Sequence, residues 1–353
     1  MNPRYAKQMK LKGFGMEGQA KLLHSRVLIV GLGGLGIPAA TYLNAMGIGT
    51  IGLVDGDSVE ASNLHRQVLF EPGNIGKLKV ACAAKKLRQQ NPNTHILEYP
   101  EHLTLHNGLT IASSFDLIID ATDTFGSRYL INDLSVILGI PFVYAALHGF
   151  EGQISVFNYQ NGPTYRCLFP EPPEPGSIPS CDEFGILGVL PGIVGTMQAL
   201  EAIKICSLIG EVTSDKLLLY NGLVSSMDTI GLPRRKPESE VRELQDDYGI
   251  YCPVTDCIRA SELLQLVNEG RTISLIDVRT REEFSETALP GAVNIPIDQL
   301  EATFPRKRTA EPTYLICRSG MRSQLAQRLL KEKTGTAIPF VKGGMNEYET
   351  LCS

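Results

Sequence analysis

The tightest constraint on the fold is the run Gly31-Leu32-Gly33-Gly34-Leu35-Gly36, which puts four glycines in six residues. It lies between an apolar run, Val27–Val30, and a segment, Ile37–Met46, that suits a helix of about three turns closed by Gly47 and Gly49. A strand, a glycine turn and a helix in that order leave backbone N–H groups free at a helix N-terminus. That arrangement receives phosphate. Further apolar runs at Ile51–Val54, Leu117–Ile119 and Phe142–Ala145 alternate with helical periodicity, which predicts an α/β fold with a Rossmann-like, doubly wound sheet. Asp55 closes the second run, 19 residues after Gly36, where a carboxylate can accept ribose hydroxyls.

Beyond this core the pattern changes. Gln153–Tyr159 reads as hairpin, and the stretch from Gly162 to Pro179 holds six prolines, so neither helix nor central strand is expected there. Gly195–Leu208 has apolar residues at helical spacing and predicts a buried helix. Pro233–Asp247 is charged and poor in apolar residues, the composition of an exposed linker. A second, smaller α/β pattern follows, with strands at Ile273–Asp277, Ala292–Ile295, Thr313–Cys317 and Ala337–Val341 and helices at Ala260–Glu269 and Arg322–Lys333. The expected organisation is a first domain over 1–232, a linker over 233–255 and a second domain over 256–353.

Composition removes several classes of function. With 38 acidic against 33 basic residues, the chain suits neither nucleic acid nor an anionic membrane as its main partner. The most apolar stretch, Val27–Ala40, is too short and too rich in glycine to span a bilayer, so no transmembrane helix is expected. The polar start after Met1 lacks the features of a secretory signal, and the expected compartment is the cytoplasm, where thiols stay reduced. Eight cysteines without a single C-x-x-C pair predict neither a disulfide frame nor a zinc site.

Which nucleotide the glycine loop serves depends on the charges that follow it. Asn63, Arg66, Gln67 and Lys79 lie within chain reach, and Asp120-Ala-Thr-Asp123 ends another strand at the same sheet edge. Singly, each is an ordinary polar or charged surface residue. Together they suit a triphosphate being cleaved, because phosphoryl chemistry is chiefly charge stabilisation by Arg, Lys and a carboxylate-bound Mg²⁺. An NAD-dependent oxidoreductase would use the glycine loop and Asp55 but leave Arg66, Lys79 and Asp123 without a role.

Arg4-Tyr5, the glycine loop, Asp55-Gly-Asp57, Ser62–Gln67, Gly76–Lys79, Asp120–Asp123, Ser127–Asn132, Gly149–Gln153, Tyr165–Pro170, Ser180-Cys181 through Gly188 and Gln198–Lys204 stand in order along residues 3–232. This set resembles the ubiquitin-activating-like adenylyltransferases of molybdopterin and thiamine synthesis. The resemblance implies adenylation of the C-terminal glycine of a small ubiquitin-like sulfur carrier with MgATP. By position, Gly31, Gly33, Gly34 and Gly36 would cradle the nucleotide and Asp55 would bind its ribose. Arg66 and Lys79 would stabilise the α-phosphate, Asp123 would hold Mg²⁺, and Asn63 and Gln67 would complete the polar lining. Arg4 would reach the phosphates of the other subunit of a homodimer, and Cys181 would be the reactive thiol. The chain departs from the family pattern in two places. Thr124 replaces the Asn of D-x-x-D-N, and the two C-x-x-C pairs of the family's structural zinc are reduced to Cys167 alone, so no zinc is expected.

Cys317-Arg318-Ser319-Gly320-Met321-Arg322 follows a predicted strand and precedes a helix. Inward-pointing N–H groups of such a loop form an anion nest, and Arg318 and Arg322 are expected to add charge that favours the Cys317 thiolate. A Cys-based phosphatase loop is the rival, but it has five residues between Cys and Arg where this loop has four. With Leu275–Arg279, Glu283-Phe284, Leu289–Pro296 and Gly343-Gly344-Met345, residues 256–350 resemble a rhodanese domain. That resemblance implies a persulfide on Cys317, loaded by a sulfur donor such as a cysteine desulfurase. Asp277 and Arg279 read as structural. The combined expectation is adenylation followed by sulfur transfer to give a thiocarboxylate. Molybdopterin synthesis is the preferred pathway, and thiamine thiazole synthesis or tRNA thiolation are the alternatives. A scaffold that binds a ubiquitin-like protein without activating it is the non-catalytic rival.

Overall fold

The computed structural model describes residues 3–172, 185–236, 240–245, 248, 257–304, 312–334 and 338–352. They fall into two compact units.

The first unit is built on an eight-stranded sheet of order β3-β2-β1-β4-β5-β6-β7-β8. Helix α1 (Gly15–His24) leads into β1 (Arg26–Val30), α2 (Gly36–Met46), β2 (Thr50–Val54), α3 (Lys79–Gln90) and β3 (His95–Tyr99). Then come α4 (Gly108–Ala112), β4 (Leu117–Asp120), α5 (Phe125–Leu138), β5 (Phe142–His148), β6 (Glu151–Phe157), α6 (Tyr165–Leu168), α7 (Val189–Ser207), β7 (Lys216–Asn221) and β8 (Ser226–Gly231). Strands β1 to β5 pair in parallel and β5 to β8 antiparallel. The register pairs Val30 with both Val54 and Asp120, so the chain leaves β1, β2 and β4 at one edge. Apolar side chains on both faces of the sheet are fully buried. Val27, Ile29, Leu53 and Ile119 serve one core, and Leu28, Ile118, Leu130 and Phe142 serve the other. Burial on both faces is the reason the central strands read as continuous apolar runs.

Two elements differ from the sequence expectation. The proline-rich stretch contains a helical turn, α6, ahead of its densest prolines. The helix expected to begin at Gly195 begins at Val189, and Pro191 is tolerated because it lies in the first turn. Over its 19 residues α7 reaches the length and hydropathy of a membrane span by composition. Within this unit α7 packs on α2, β5 and β6, and Leu190, Val194, Ala199 and Ala202 are buried.

The second unit is a five-stranded parallel sheet of order β11-β10-β12-β13-β9. Its elements are β9 (Cys257–Arg259), α8 (Ala260–Asn268), β10 (Ser274–Asp277), α9 (Arg281–Glu286), β11 (Val293–Asn294), α10 (Leu300–Thr303), β12 (Thr313–Ile316), α11 (Met321–Thr334), β13 (Phe340–Lys342) and α12 (Gly344–Cys352). Leu263, Leu275, Ile316, Val341 and Met345 form its core.

Candidate functional site

In the first unit the glycine loop is fixed by close backbone approach. Gly31 has φ of +93°, and a Cβ there would meet the Ala121 carbonyl oxygen at 2.7 Å. A Cβ on Gly36 would sit on the Gly31 carbonyl oxygen. The first, third and fourth glycines of the motif therefore hold the turn against β4 and the start of α7, since a Cβ on Gly34 would lie 2.8 Å from Pro191. Gly33 is different. Among the described residues only the Gln67 side-chain amide, 4.0 Å away, approaches a Cβ built there.

Asp55, 7% exposed at the end of β2, accepts the Leu32 N–H at 2.7 Å and the Asp57 N–H at 2.8 Å, tying the glycine loop to the next strand. Burial pushes its carboxyl above the usual range, while Lys79 pulls it down. Lys79 opens α3 and is itself buried, with its ammonium 3.0 Å from Asp57 and its N–H on the Asp57 carbonyl. Burial works against its charge, but Asp55 and Asp57 outweigh burial and its pKa is raised. His102 approaches the other oxygen of Asp57 at 3.7 Å.

The segment 62–67 lies over the same loop. Arg66 brings its Cδ within 3.5 Å of a Cβ built on Gly34 and donates to the Ser62 carbonyl at 3.0 Å. Gln67 is 2% exposed, and its Oε1 has no partner among the described residues. Asn63 is spent locally: its Oδ1 accepts the Glu60 N–H, closing a capping box on the turn at Ala61–Asn63. Asp123 follows β4, exposed, three residues past the buried Asp120. The expected residues Gly31, Gly33, Gly34, Gly36, Asp55, Arg66, Gln67 and Lys79 thus converge, with Asp123 on the same edge. Arg4 does not join them. Its guanidinium donates to the Gln90 carbonyl at the far end of α3, roughly 16 Å of helix from Lys79. Cys181 lies outside the described residues.

Both departures from the family pattern have local explanations. Thr124 is the N-cap of α5, accepting the Ser127 N–H at 3.2 Å, a role that both Thr and Asn can fill. The Cys167 thiol is buried and accepts N–H groups from Thr164 at 3.4 Å and Arg235 at 3.3 Å. The stem around it is held by Asp133, whose carboxylate takes two bonds from Arg166 at 2.7 Å each and one from the Tyr248 hydroxyl at 2.7 Å. The first unit therefore still holds Arg235 and Tyr248, both in the stretch expected to be linker. Sequence reading missed Asp133 as an anchor and Asp57 as the partner of Lys79. The DGD triplet was the available signal for Asp57.

In the second unit Cys317 follows β12 and is fully buried. Its Sγ accepts the Gly320 N–H at 3.1 Å, and the Ser323 hydroxyl is 3.5 Å away. Gly320 turns the loop with φ of +94°, and α12 clasps it from behind, Met345 N–H on the Cys317 carbonyl and Asn346 N–H on that of Arg318. Asp277 and Arg279 are structural as expected, a fully buried pair 2.7 Å apart in which Arg279 also donates to the Thr287 carbonyl. One expectation is corrected. Arg322 does not turn its charge to the sulfur, because both its terminal nitrogens are bonded to Glu283, at 2.6 and 2.7 Å. Arg318 is exposed beside the thiol.

Among the described residues no three His, Cys, Asp or Glu side chains cluster as a metal site. A single exposed carboxylate such as Asp123 does suit Mg²⁺, which takes one or two protein carboxylates and completes its shell with water and substrate phosphates.

Comparison with known proteins agrees with this division. Residues 5–241 match the ThiF family and residues 259–351 the rhodanese-like domain. The adenylyltransferase and sulfurtransferase MOCS3-1 of Zea mays is 37% identical over 377 residues, covering 98% of this chain and 81% of the relative. The adenylyltransferase and sulfurtransferase uba4 of Emericella nidulans is 39% identical over 404 residues, covering 98% and 84%. The crystal structure of E. coli MccB shares the fold, with a TM-score of 0.60 at 21% identity over 69% of this chain and 73% of that one. The chain belongs to the ThiF family and, within it, to the two-domain adenylyltransferase and sulfurtransferase proteins that carry a C-terminal rhodanese-like domain.

Proposed function

We propose that the first unit adenylates the C-terminal glycine of a ubiquitin-like sulfur carrier and that Cys317 of the second unit supplies the sulfur. The observation that carries this reading is the pairing, on one chain, of a nucleotide loop flanked by Arg66 and Lys79 with a buried cysteine whose sulfur accepts the Gly320 N–H. The carrier carboxylate attacks the α-phosphorus of ATP and pyrophosphate leaves. Arg66 and the buried Lys79 meet the negative charge that builds on the α-phosphate, while Asp55 binds the ribose hydroxyls and Gly31, Gly33, Gly34 and Gly36 admit the phosphates. Gln67 lines the site, and Asn63 braces the turn that carries Arg66. Asp123 would hold Mg²⁺, which neutralises phosphate charge when bound.

The terminal sulfur of a Cys317 persulfide then attacks the acyl carbon and AMP departs, leaving an acyl persulfide. Attack by the Cys181 thiolate on the Cys317 sulfur releases the carrier thiocarboxylate and leaves a Cys181–Cys317 disulfide, which a cellular dithiol reduces. A cysteine desulfurase is the proposed source of the persulfide sulfur and the cytoplasm the proposed compartment. A homodimer is supported by the exposed apolar side chains Val189, Ile193 and Leu200 along one side of α7 and Tyr42 on the adjoining α2. Such a dimer would let Arg4, distant from its own glycine loop, serve the other subunit. Molybdopterin synthesis is the pathway put forward first.

Carrier-dependent exchange of pyrophosphate into ATP tests the first step, and running it with carriers of the molybdopterin, thiamine and tRNA-thiolation types separates the pathways. Cys317→Ala is expected to keep the exchange and lose thiocarboxylate formation. Loss of both by a folded variant would refute the division of labour between the units.

A further inference from the structure

Glu283 sits on α9, which follows β10, and Arg322 in the first turn of α11, which follows β12. Strands β10 and β12 are paired neighbours, with Asp277 opposite Ile316, so the two helices start side by side at the edge where Cys317 lies. The Glu283 carboxylate does two jobs at once. It accepts the Thr280 N–H at 3.0 Å, closing the capping box of α9, and it grips both terminal nitrogens of Arg322. Beneath it, the buried Asp277–Arg279 pair and the bond from Arg279 to the Thr287 carbonyl fix α9 at its far end. Glu283 is therefore anchored, and Arg322, a mobile side chain by nature, is not free to follow charge at the sulfur.

We propose that Glu283 is a positioning residue for sulfur transfer: by holding Arg322 in a two-pronged pair it locks the 317–322 loop with the Gly320 N–H aimed at Sγ and keeps the guanidinium from binding the sulfur anion. The loop then presents its sulfur through a neutral donor, the Gly320 N–H, while the Ser323 hydroxyl, 3.5 Å from the sulfur, is also 2.9 Å from the Gly320 carbonyl, and Arg318 is exposed next in the chain. A persulfide held this way keeps its nucleophilicity, whereas one paired with a guanidinium loses part of it, since a stabilised anion attacks more slowly.

The proposal rests on the reading of Cys317 as the sulfur carrier. Its test uses the full chain with thiosulfate as sulfur donor and cyanide as acceptor, together with the pH profile of Cys317 alkylation by iodoacetamide. Glu283→Gln is expected to lower kcat by about tenfold with little change in KM, and to move the alkylation midpoint to lower pH as Arg322 turns to the thiolate. Because Glu283 acts through Arg322, adding Arg322→Gln is expected to return the alkylation midpoint to that of the unaltered protein, and the two effects on kcat are expected not to add. A purely structural role would change the melting temperature and leave the midpoint in place. An unshifted midpoint in Glu283→Gln, or fully additive effects in the double variant, overturns the proposal. If the unaltered protein itself forms no persulfide on Cys317, the sulfur-carrier reading fails instead, and the alkylation midpoints still report on Glu283.

Discussion

Lys79→Met separates a catalytic from a structural reading of the buried ammonium. In the resting site Lys79 is 3.0 Å from Asp57, whose side chain is 42% exposed. Solvent at Asp57 keeps the pair near the weak end of the range, so its loss costs about 1 kcal/mol or less of fold stability. Methionine fills the space of the buried stem, which offsets part of that loss. In the transition state the balance differs, because the ammonium faces charge that develops on the α-phosphate inside a closed site. Removing one such donor lowers a rate by about 10²- to 10³-fold. Lys79→Met is therefore expected to unfold within about 1 kcal/mol of the unaltered protein in urea, yet to lose about two to three decades of carrier-dependent pyrophosphate exchange at saturating ATP. Exchange within threefold of the unaltered rate, as an order-of-magnitude bound, or a loss of exchange matched by loss of the fold, would refute the reasoning.

Asp133→Asn should show the opposite signature, since it leaves the Arg166 guanidinium, 11% exposed, without its counter-charge. The expected loss is about 3 to 5 kcal/mol, or roughly 6 to 20 °C in the melting of the first unit by calorimetry, and a shift below about 2 °C contradicts it. Gly36→Ala places a methyl on the Gly31 carbonyl oxygen, so exchange activity and ATP-induced thermal stabilisation should both disappear while the second unit keeps its thiosulfate activity. Bonding to Arg322 outweighs burial at Glu283 and lowers its carboxyl from 4.5 to about 2 in the folded chain. Its contribution to stability is accordingly complete above pH 4.5 and declines as pH falls towards 2. Acid titration followed by circular dichroism should show part of this decline missing in Glu283→Gln, and identical curves would rule out the pair as its source.

The parts of the fold legible in the sequence are those whose signal is local or doubled. Val27–Val30 and Leu117–Ile119 are buried on both faces and read as unbroken apolar runs, and the glycine loop declares itself because only glycine fits beneath the carbonyls of Gly31 and Ala121. Strands β3, β7 and β8 were not legible. His95–Tyr99 is an edge strand with a single buried residue, Ile96, and Ser226–Gly231 is exposed along nearly its whole length, so neither needs an apolar run. The expected domain limits stop short of Arg235 and Tyr248, which are held by a thiol and a carboxylate distant in sequence.

The candidate sites divide in the same way. Residue identity and order along the chain determined the nucleotide loop, Asp55 at a strand end and the Cys317 loop, because each follows directly from a strand leaving the sheet. Tertiary structure alone decided the partners of the charged side chains: Lys79 on Asp57, Arg322 on Glu283 rather than on sulfur, and Arg4 on the far end of α3. A long flexible cation takes whichever acceptor the packed elements bring within reach, and that choice is made by neighbours far away in sequence.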